Sequence, residues 1–259
     1  AVENNYVKFA GFYWRIIRIN GDGTIRMIYD GTSAHANGES SSDRRVSATA
    51  FNPNNDDNAY AGYMYGTPGS STYEDTHANI NNSTIKTAND NWYKTNIVDK
   101  GYGNYVVDAI YCNDRSLSRG TGIGTEDTHY QVHNRIYRDK TPTLKCAQTE
   151  DKFTTSSSLG NGDLTYPVGL ITADEAAYAG GRYNTLNLSY YLYNGNNYST
   201  MSPNAYVDHV TIWNVYATGN FGVYNVSSTN MGLCPVISLR SDITFSGNGT
   251  MNSPFEIAS

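Results

Sequence analysis

Charge is scarce in this chain. Only 16% of its 259 residues are Asp, Glu, Lys or Arg, against about a quarter in an ordinary cytosolic domain. The net charge of −6 is spread out and no basic run exists, which argues against nucleic acid and anionic membranes as partners. No apolar stretch is long enough to cross a bilayer, and no signal-like hydrophobic segment is present. Membrane insertion of this segment itself is therefore not expected. The chain starts at Ala1 rather than at a Met, and the expectation is an excised ectodomain or a processed product. Cysteine is sparse too. Cys112, Cys146 and Cys234 lie far apart with no Cys-x-x-Cys pair, which argues against zinc-ribbon and thioredoxin chemistry. One disulfide and one odd thiol is the simplest arrangement of three. A Gly-x-Ser-x-Gly elbow and a convincing phosphate-binding glycine loop are also missing.

What the chain has instead is tyrosine. Twenty-three Tyr raise the aromatic share to 13% although hydrophobic residues reach only 39%. Disordered chains lack aromatics, so this is a folded protein with a polar, Tyr-rich exterior. Its length can bury a substantial core and allows one large domain or two small ones. Low charge with much Asn, Ser, Thr, Tyr and Gly is the composition of an extracellular protein.

The clearest local pattern is a β-hairpin over 5–29. Tyr13 to Ile19 and Thr24 to Tyr29 are β-branched or aromatic arms around Asn20-Gly21-Asp22-Gly23, which supplies the positive-φ residues of a tight turn. Residues 31–82 are polar and without period, and read as long loops with a short helix or two. Asn82 or Ser83 caps a helix running to about Val98, with Ile85, Ala88 and Trp92 on one face. Residues 105–112 read as a buried turn or short strand. Thr172 and Glu175 form a capping box, and Gly180-Gly181 ends that helix. Short strands, about two helices, long loops and no visible linker predict one α+β domain over 1–259.

Five segments carry a resemblance: Phe12-Tyr13-Trp14-Arg15-Ile16-Ile17, Cys112-Asn113-Asp114-Arg115-Ser116, Gly169 to Gly181, Met201-Ser202-Pro203 and Pro235-Val236-Ile237-Ser238-Leu239. In order and spacing, over nearly the whole chain, they resemble an uncharacterised domain of Firmicutes surface proteins. That domain often follows a prepilin-like anchor. It is related to the C-type-lectin-like fold of formylglycine-generating enzymes and of retroelement-diversified binding proteins. The resemblance implies a C-type-lectin-like fold and an extracellular, cell-surface location. Two positions depart from the pattern: Ser199 stands where Trp is expected and Cys234 where Arg is expected. Formylglycine generation needs a redox-active cysteine pair, which the solitary Cys234 cannot supply. An oxidising location predicts a Cys112–Cys146 disulfide, both residues lying in anchor-like segments, with Cys234 a buried thiol. Lectin-like domains bring their ends together, so the hairpin is expected beside Val236 to Leu239, with Trp14, Ile16, Ile237 and Leu239 buried.

Candidate chemistry is thin. His129 and His133 have i, i+4 spacing, but no third ligand follows. Asp56 and Asp57 with Asn54, Asn55 and Asn58 offer the oxygens calcium takes, yet they match no EF-hand or calcium-lectin triplet. Side chains bonding their own backbone are the simpler account. No cofactor is expected. Asp174 and Glu175 are assigned to helix capping and the helix dipole rather than to acid–base work. No catalysis is expected.

From 198 to 230 the sequence is crowded with Tyr, Asn, Trp, His, Ser and Thr, the residue types of binding surfaces. Val210, Val215, Phe221 and Val226 are expected to point inward, turning Tyr206, His209, Asn214, Tyr216, Asn220 and Tyr224 outward with Tyr198 nearby. Asn, Tyr, His, Asp and Ser are related by single changes in adenine-containing codons, the substitutions diversifying retroelements make. The expectation is a cell-surface adhesion module that binds a protein or glycan ligand on another cell or host surface. Its rivals are a structural pilus or surface-layer subunit and a polysaccharide-acting hydrolase.

Overall fold

A computed structural model describes residues 2–258. Helices and sheets are mixed, and the chain is of the α+β class. The N-terminal arms pair as expected. Phe12–Ile19 runs antiparallel to Ile25–Gly31, and Gly23 takes a positive φ of 83° in the turn between them. Asp22 Oδ1 accepts from the Thr24 amide at 3.0 Å and stiffens that turn. A second tight turn at Ala10-Gly11, both at positive φ, adds the strand Tyr6–Phe9.

Val236–Leu239 lies antiparallel to Ile25–Gly31, with Val236 opposite Ile28 and Leu239 opposite Ile25. Val106–Val107 extends that edge. On the other edge Phe255–Ile257 lies parallel to Tyr6–Phe9 and Phe245–Ser246 closes the sheet at seven strands. The two ends of the chain thus meet as neighbours in one sheet. Trp14, Ile237 and Leu239 are fully buried. Ile16 is only half-buried; it stands opposite Met27 and packs against the same apolar cluster, just before the register slips between Ile16 and Arg18.

A second sheet has the order Phe221–Asn225, Val210–Val215, Tyr198–Tyr206, Thr128–Tyr130, Leu117–Arg119, all antiparallel. Gly232–Leu233 touches the strand Tyr198–Tyr206 in parallel.

Alternation along Ile25–Gly31 divides the core. Met27 and Tyr29 enter one apolar cluster with Trp14, Tyr93, Ile97 and Leu239, while Ile28 enters the other, between the sheets. The helix Thr84–Tyr93 packs on both, with Ile85 in the second cluster and Tyr93 in the first. Ser83 caps it by accepting from the Lys86 amide, and a π-turn, Lys94–Val98, prolongs it. Its buried row is Ile85, Asn89, Tyr93 and Ile97. Ala88 and Trp92 flank that row half-buried, with the Trp92 ring 6.0 Å from Trp14 and 5.6 Å from Tyr29.

The loops of residues 31–82 contain the short helix Tyr73–His77 and two 3-10 turns. The segment Cys112–Ser116 pins them. Cys112 is bonded to Cys146, and Cys234 is a buried free thiol pushed up to about 12 by burial. Asn113 donates to the carbonyls of Ala61 and Met201 and accepts from the Tyr63 amide. Arg115 is fully buried. It donates to Asp151 Oδ1 at 2.6 Å, to the carbonyls of Met64 and His77 at 3.1 Å each, and to Asn79 Oδ1 at 3.0 Å. Burial, with Arg115 nearby, pushes His77 down to about 3. The neutral ring donates from Nε2 to the Gly122 carbonyl at 2.8 Å.

Removing one partner of a buried pair strands the other. Replacing Arg115 with Met, or Asp151 with Leu, is expected to cost about 3–5 kcal/mol of unfolding free energy, measured by urea denaturation. The double replacement should recover a large part of either loss.

The loop of residues 33–43 has a pH-dependent clamp. His35 Nδ1 is 2.8 Å from Glu39 Oε1 and Nε2 is 2.9 Å from Asp43 Oδ1, so both contacts are hydrogen bonds only when the ring carries two protons. Burial and Arg44 work against that charge, but the bonds to Glu39 and Asp43 prevail and raise the His35 pKa. The two carboxyls are lowered: the His35 hydrogen bond leads for Glu39, and for Asp43 the bonds from Ser41, His35 and Thr32 outweigh burial. A raised His pKa contributes stability below its unfolded value, about 6.5, lost as pH rises through the folded value. Lowered carboxyls contribute above their unfolded values, about 4, and lose it below. Melting temperature should therefore peak between about pH 4.5 and 6.5 through this clamp. His35→Gln should remove the decline on the alkaline side; an unchanged profile would show that the clamp contributes nothing.

Candidate binding site

The strand Tyr198–Tyr206 is buried along its whole length. It is the central strand of its sheet, covered on both faces, so alternation between core and solvent does not apply to it. This corrects the outward placement of Tyr206 and the expectation of Tyr198 beside the same binding face. Tyr198 is 1% exposed and donates to the Leu192 carbonyl at 2.9 Å; Tyr206 is 5% exposed. Asn214, in the neighbouring strand, is also fully buried, donating to the Ile212 carbonyl at 2.9 Å. Val210, Val215, Phe221 and Val226 are buried.

Tyr216, Asn220 and Tyr224 remain partly exposed, the first two at the turn that joins Val210–Val215 to Phe221–Asn225 and the third farther along the edge strand, opposite Ile212. The Tyr216 and Tyr224 rings stand edge to face at 6.3 Å. Tyr216 lies so close over Gly222 that a Cβ there would sit 2.1 Å from the ring, which is why glycine occupies the position. His209 is in the turn before Val210, 2.6 Å from Asp208. It is at the opposite end of that strand from Tyr216. The seven residues therefore do not form one patch.

A different set does converge. The rings of His129, His133, Tyr137, Tyr183 and Trp213 follow one another with centroid separations of 4.5, 5.4, 5.0 and 5.7 Å. Local backbone explains the first three: His129 is the middle residue of a short strand, Thr128–Tyr130, and the helical turn Gln131–His133 widens into a π-turn, Asn134–Asp139. Such turns displace side chains from a straight helical row. Tyr183 arrives from a loop bridged to Phe221. Burial and the neighbouring His133 lower the His129 pKa. His133 Nδ1 lies 2.9 Å from Asn204 Oδ1, and Asn204 Nδ2 donates to Thr211 Oγ1 at 2.9 Å. His133, Tyr137, Tyr183, Asn204, Trp213 and Val223 enclose a depression of about 70 Å³. Tyr137 is 47% exposed, whereas Trp213 is 1% exposed and its Nε1 has no hydrogen-bond partner. Partly exposed aromatic surface of this kind suits a ligand that offers an apolar face.

The acidic residues are otherwise engaged. Glu175 completes the capping box with Thr172, forms an ion pair with Arg18, and lies 2.6 Å from Arg26 Nε. Asp174 is bound at both oxygens by Arg135 and accepts from the Thr143 amide; Asp114 takes Arg135 at 2.8 Å. Asp174 is thus an ion-pair partner rather than mainly a helix-dipole charge. These three carboxylates line a cavity of about 400 Å³ beside the Cys112–Cys146 bond, each already bound by arginine.

Asp57 accepts from the Ala59 and Gly69 amides. Asn58 donates to the Gly124 and Glu126 carbonyls, Asn54 to Tyr60 and Asn55 to Ser227. Among the described residues no three His, Cys, Asp or Glu side chains converge as a metal-holding group.

Comparison with protein-family models, with curated proteins and with solved structures gives no match.

The ring row left one trace in the sequence. His129 and His133 continue at the same spacing to Tyr137, so the stripe is aromatic rather than ligating. Tyr183 and Trp213 come from distant segments and left none.

Burial separates the two sets of tyrosines. Tyr198→Ala is expected to cost roughly 3–5 kcal/mol, as for other large buried aromatics. Tyr137→Ala should cost well under half of that. Denaturant midpoints of the two variants check the ordering; equal losses would refute it.

Proposed function

We propose that this chain is a non-enzymatic, cell-surface binding module with a C-type-lectin-like fold, which engages a protein or glycan ligand through the row His129–His133–Tyr137–Tyr183–Trp213. The observation that carries the reading is that row. Tyr137 is exposed, His129, His133 and Tyr183 are half-buried, and the row ends inside at the buried Trp213. The fold assignment is supported by the parallel pairing of Tyr6–Phe9 with Phe255–Ile257, which joins the chain ends, and by the long irregular loops between paired strands. A disulfide suits an oxidising compartment, and among the described residues no helix is long and apolar enough to cross a membrane.

A hydrolase reading needs free carboxylates poised for acid–base work. Asp114, Asp174 and Glu175 are committed to Arg135, Arg18 and Arg26, which favours binding over catalysis.

The test is retention of the purified chain on panels of immobilised glycans and cell-surface proteins. Tyr137→Ala with Tyr183→Ala should abolish retention while the melting temperature stays within a few degrees. Undiminished retention would move the site elsewhere. Retention by nothing, together with concentration-dependent self-association that ignores Tyr137, would favour the structural-subunit reading.

A further inference from the structure

Beside the ring row lies a groove of about 620 Å³, with Tyr137 and Tyr183 in its wall. It shares those two rings with the aromatic depression and shares Arg135 with the charged cavity, so it joins the two. Its lining includes Arg135, Lys140 and Arg182 and no carboxylate, in a chain whose net charge is −6. Arg135 is neutralised from behind by Asp114 and Asp174. Lys140 and Arg182 are exposed, and among the described residues neither side chain forms an ion pair. Two uncommitted cations thus flank two tyrosine rings whose centroids are 5.0 Å apart.

We infer that this groove binds an acidic sugar, one that carries a carboxylate or sulfate, within the glycan class of the proposed function on which this inference rests. The C–H face of a pyranose is apolar and slightly positive at its edge, and lies against the negative face of a tyrosine ring. Its anionic group is then placed between an ammonium and a guanidinium, the latter able to hold two oxygens at once. An acidic peptide would match the charge but lacks a means of docking. Peptides commonly bind by adding a strand to an open sheet edge, and here the edge strand Phe221–Asn225 is already occupied at Phe221. The Phe221 amide donates to the Arg182 carbonyl at 2.9 Å and the Asn184 amide to the Phe221 carbonyl at 3.3 Å. The segment that presents Arg182 and Tyr183 also closes the end of the edge nearest the groove, at Phe221.

The experiment measures binding of the whole chain to immobilised oligosaccharides bearing uronate, sialate or sulfate, to neutral counterparts of the same backbones, and to a hexaglutamate peptide. At least one acidic glycan should bind about tenfold tighter than its neutral counterpart, and added salt should erode the difference. Lys140→Ala with Arg182→Ala should remove that tenfold margin and leave the neutral level, at unchanged melting temperature. Should that pair fail to fold, Lys140→Glu alone should still lower acidic-glycan binding and spare neutral binding. Acidic and neutral glycans bound equally well, with Tyr137 still required, would overturn the charge assignment and leave the binding-module reading standing. Hexaglutamate bound as tightly as the acidic sugar would make this an acidic-peptide site and overturn the inference. Retention of no glycan would overturn it as well, while protein ligands lost on Tyr137→Ala would keep the binding module.

Discussion

The five residues Cys112 to Ser116 hold the rest of the chain in place. Cys112 fixes the loop of Cys146 covalently. Asn113 ties the loop at Ala61 and Tyr63 to the central strand at Met201. Asp114 receives Arg135, at the root of the π-turn that carries the rings. Arg115 spends its guanidinium on Met64, His77, Asn79 and Asp151. Ser116 accepts from the Gln131 amide through its carbonyl at 2.8 Å. Irregular backbone has no ladder to satisfy its polar groups, so each buried carbonyl needs a donor brought to it. One short segment supplies several of these donors, and the long loops are ordered because of it.

Arginine is the reason a chain with so little charge can do this. Arg15, Arg26, Arg44 and Arg115 are all fully buried, each against carboxylates or carbonyls. Arg44 donates to Asp30 at 2.6 and 2.9 Å, and Arg15 stacks on Tyr6 at 3.8 Å. Such pairs contribute little net stability once desolvation is counted, and replacing one partner alone is costly. Their effect here is on uniqueness, because each guanidinium fits one arrangement of acceptors. What sets Lys140 and Arg182 apart from the other cations without an ion pair is that they share one groove whose lining holds no carboxylate and two tyrosine rings.

Local order was readable where a pattern is self-contained. Asn20-Gly21-Asp22-Gly23 between two β-branched arms could only be a hairpin, and the reciprocal bonds of Thr172 and Glu175 are a property of four consecutive residues. The segment Tyr198–Tyr206 misled because its polar residues, which elsewhere indicate solvent, are here buried, and all but Ser199 find partners inside: Thr200 donates to the Trp213 carbonyl at 2.8 Å and Ser202 accepts from the Ala173 amide at 2.9 Å. A strand buried on both faces by segments distant in sequence, or by loops of no period, leaves no alternation to read. The ring row was hidden for the same reason. Its members come from three separate segments, and only His129, His133 and Tyr137 are close enough in sequence to show a spacing.

The position of the groove follows from how the second sheet ends. An edge strand left bare invites uncontrolled pairing with other chains, and here the segment at Arg182 to Asn184 crosses Phe221 and blunts it. The preceding helix ends just before this segment, at Gly180 with its φ of 114° and at Gly181, where a Cβ would lie 2.4 Å from the Phe221 ring. The turn is therefore obliged to pass close to the edge strand. Tyr183 is brought against Trp213 and Tyr137, and Arg182 is left at the rim. None of the contacts made by Cys112 to Ser116 reaches Lys140, Arg182 or Thr185. Lys140, Arg182 and Thr185 can therefore change without loosening the hub, whereas Arg135, which lines the same groove, is held by Asp114 and belongs to it.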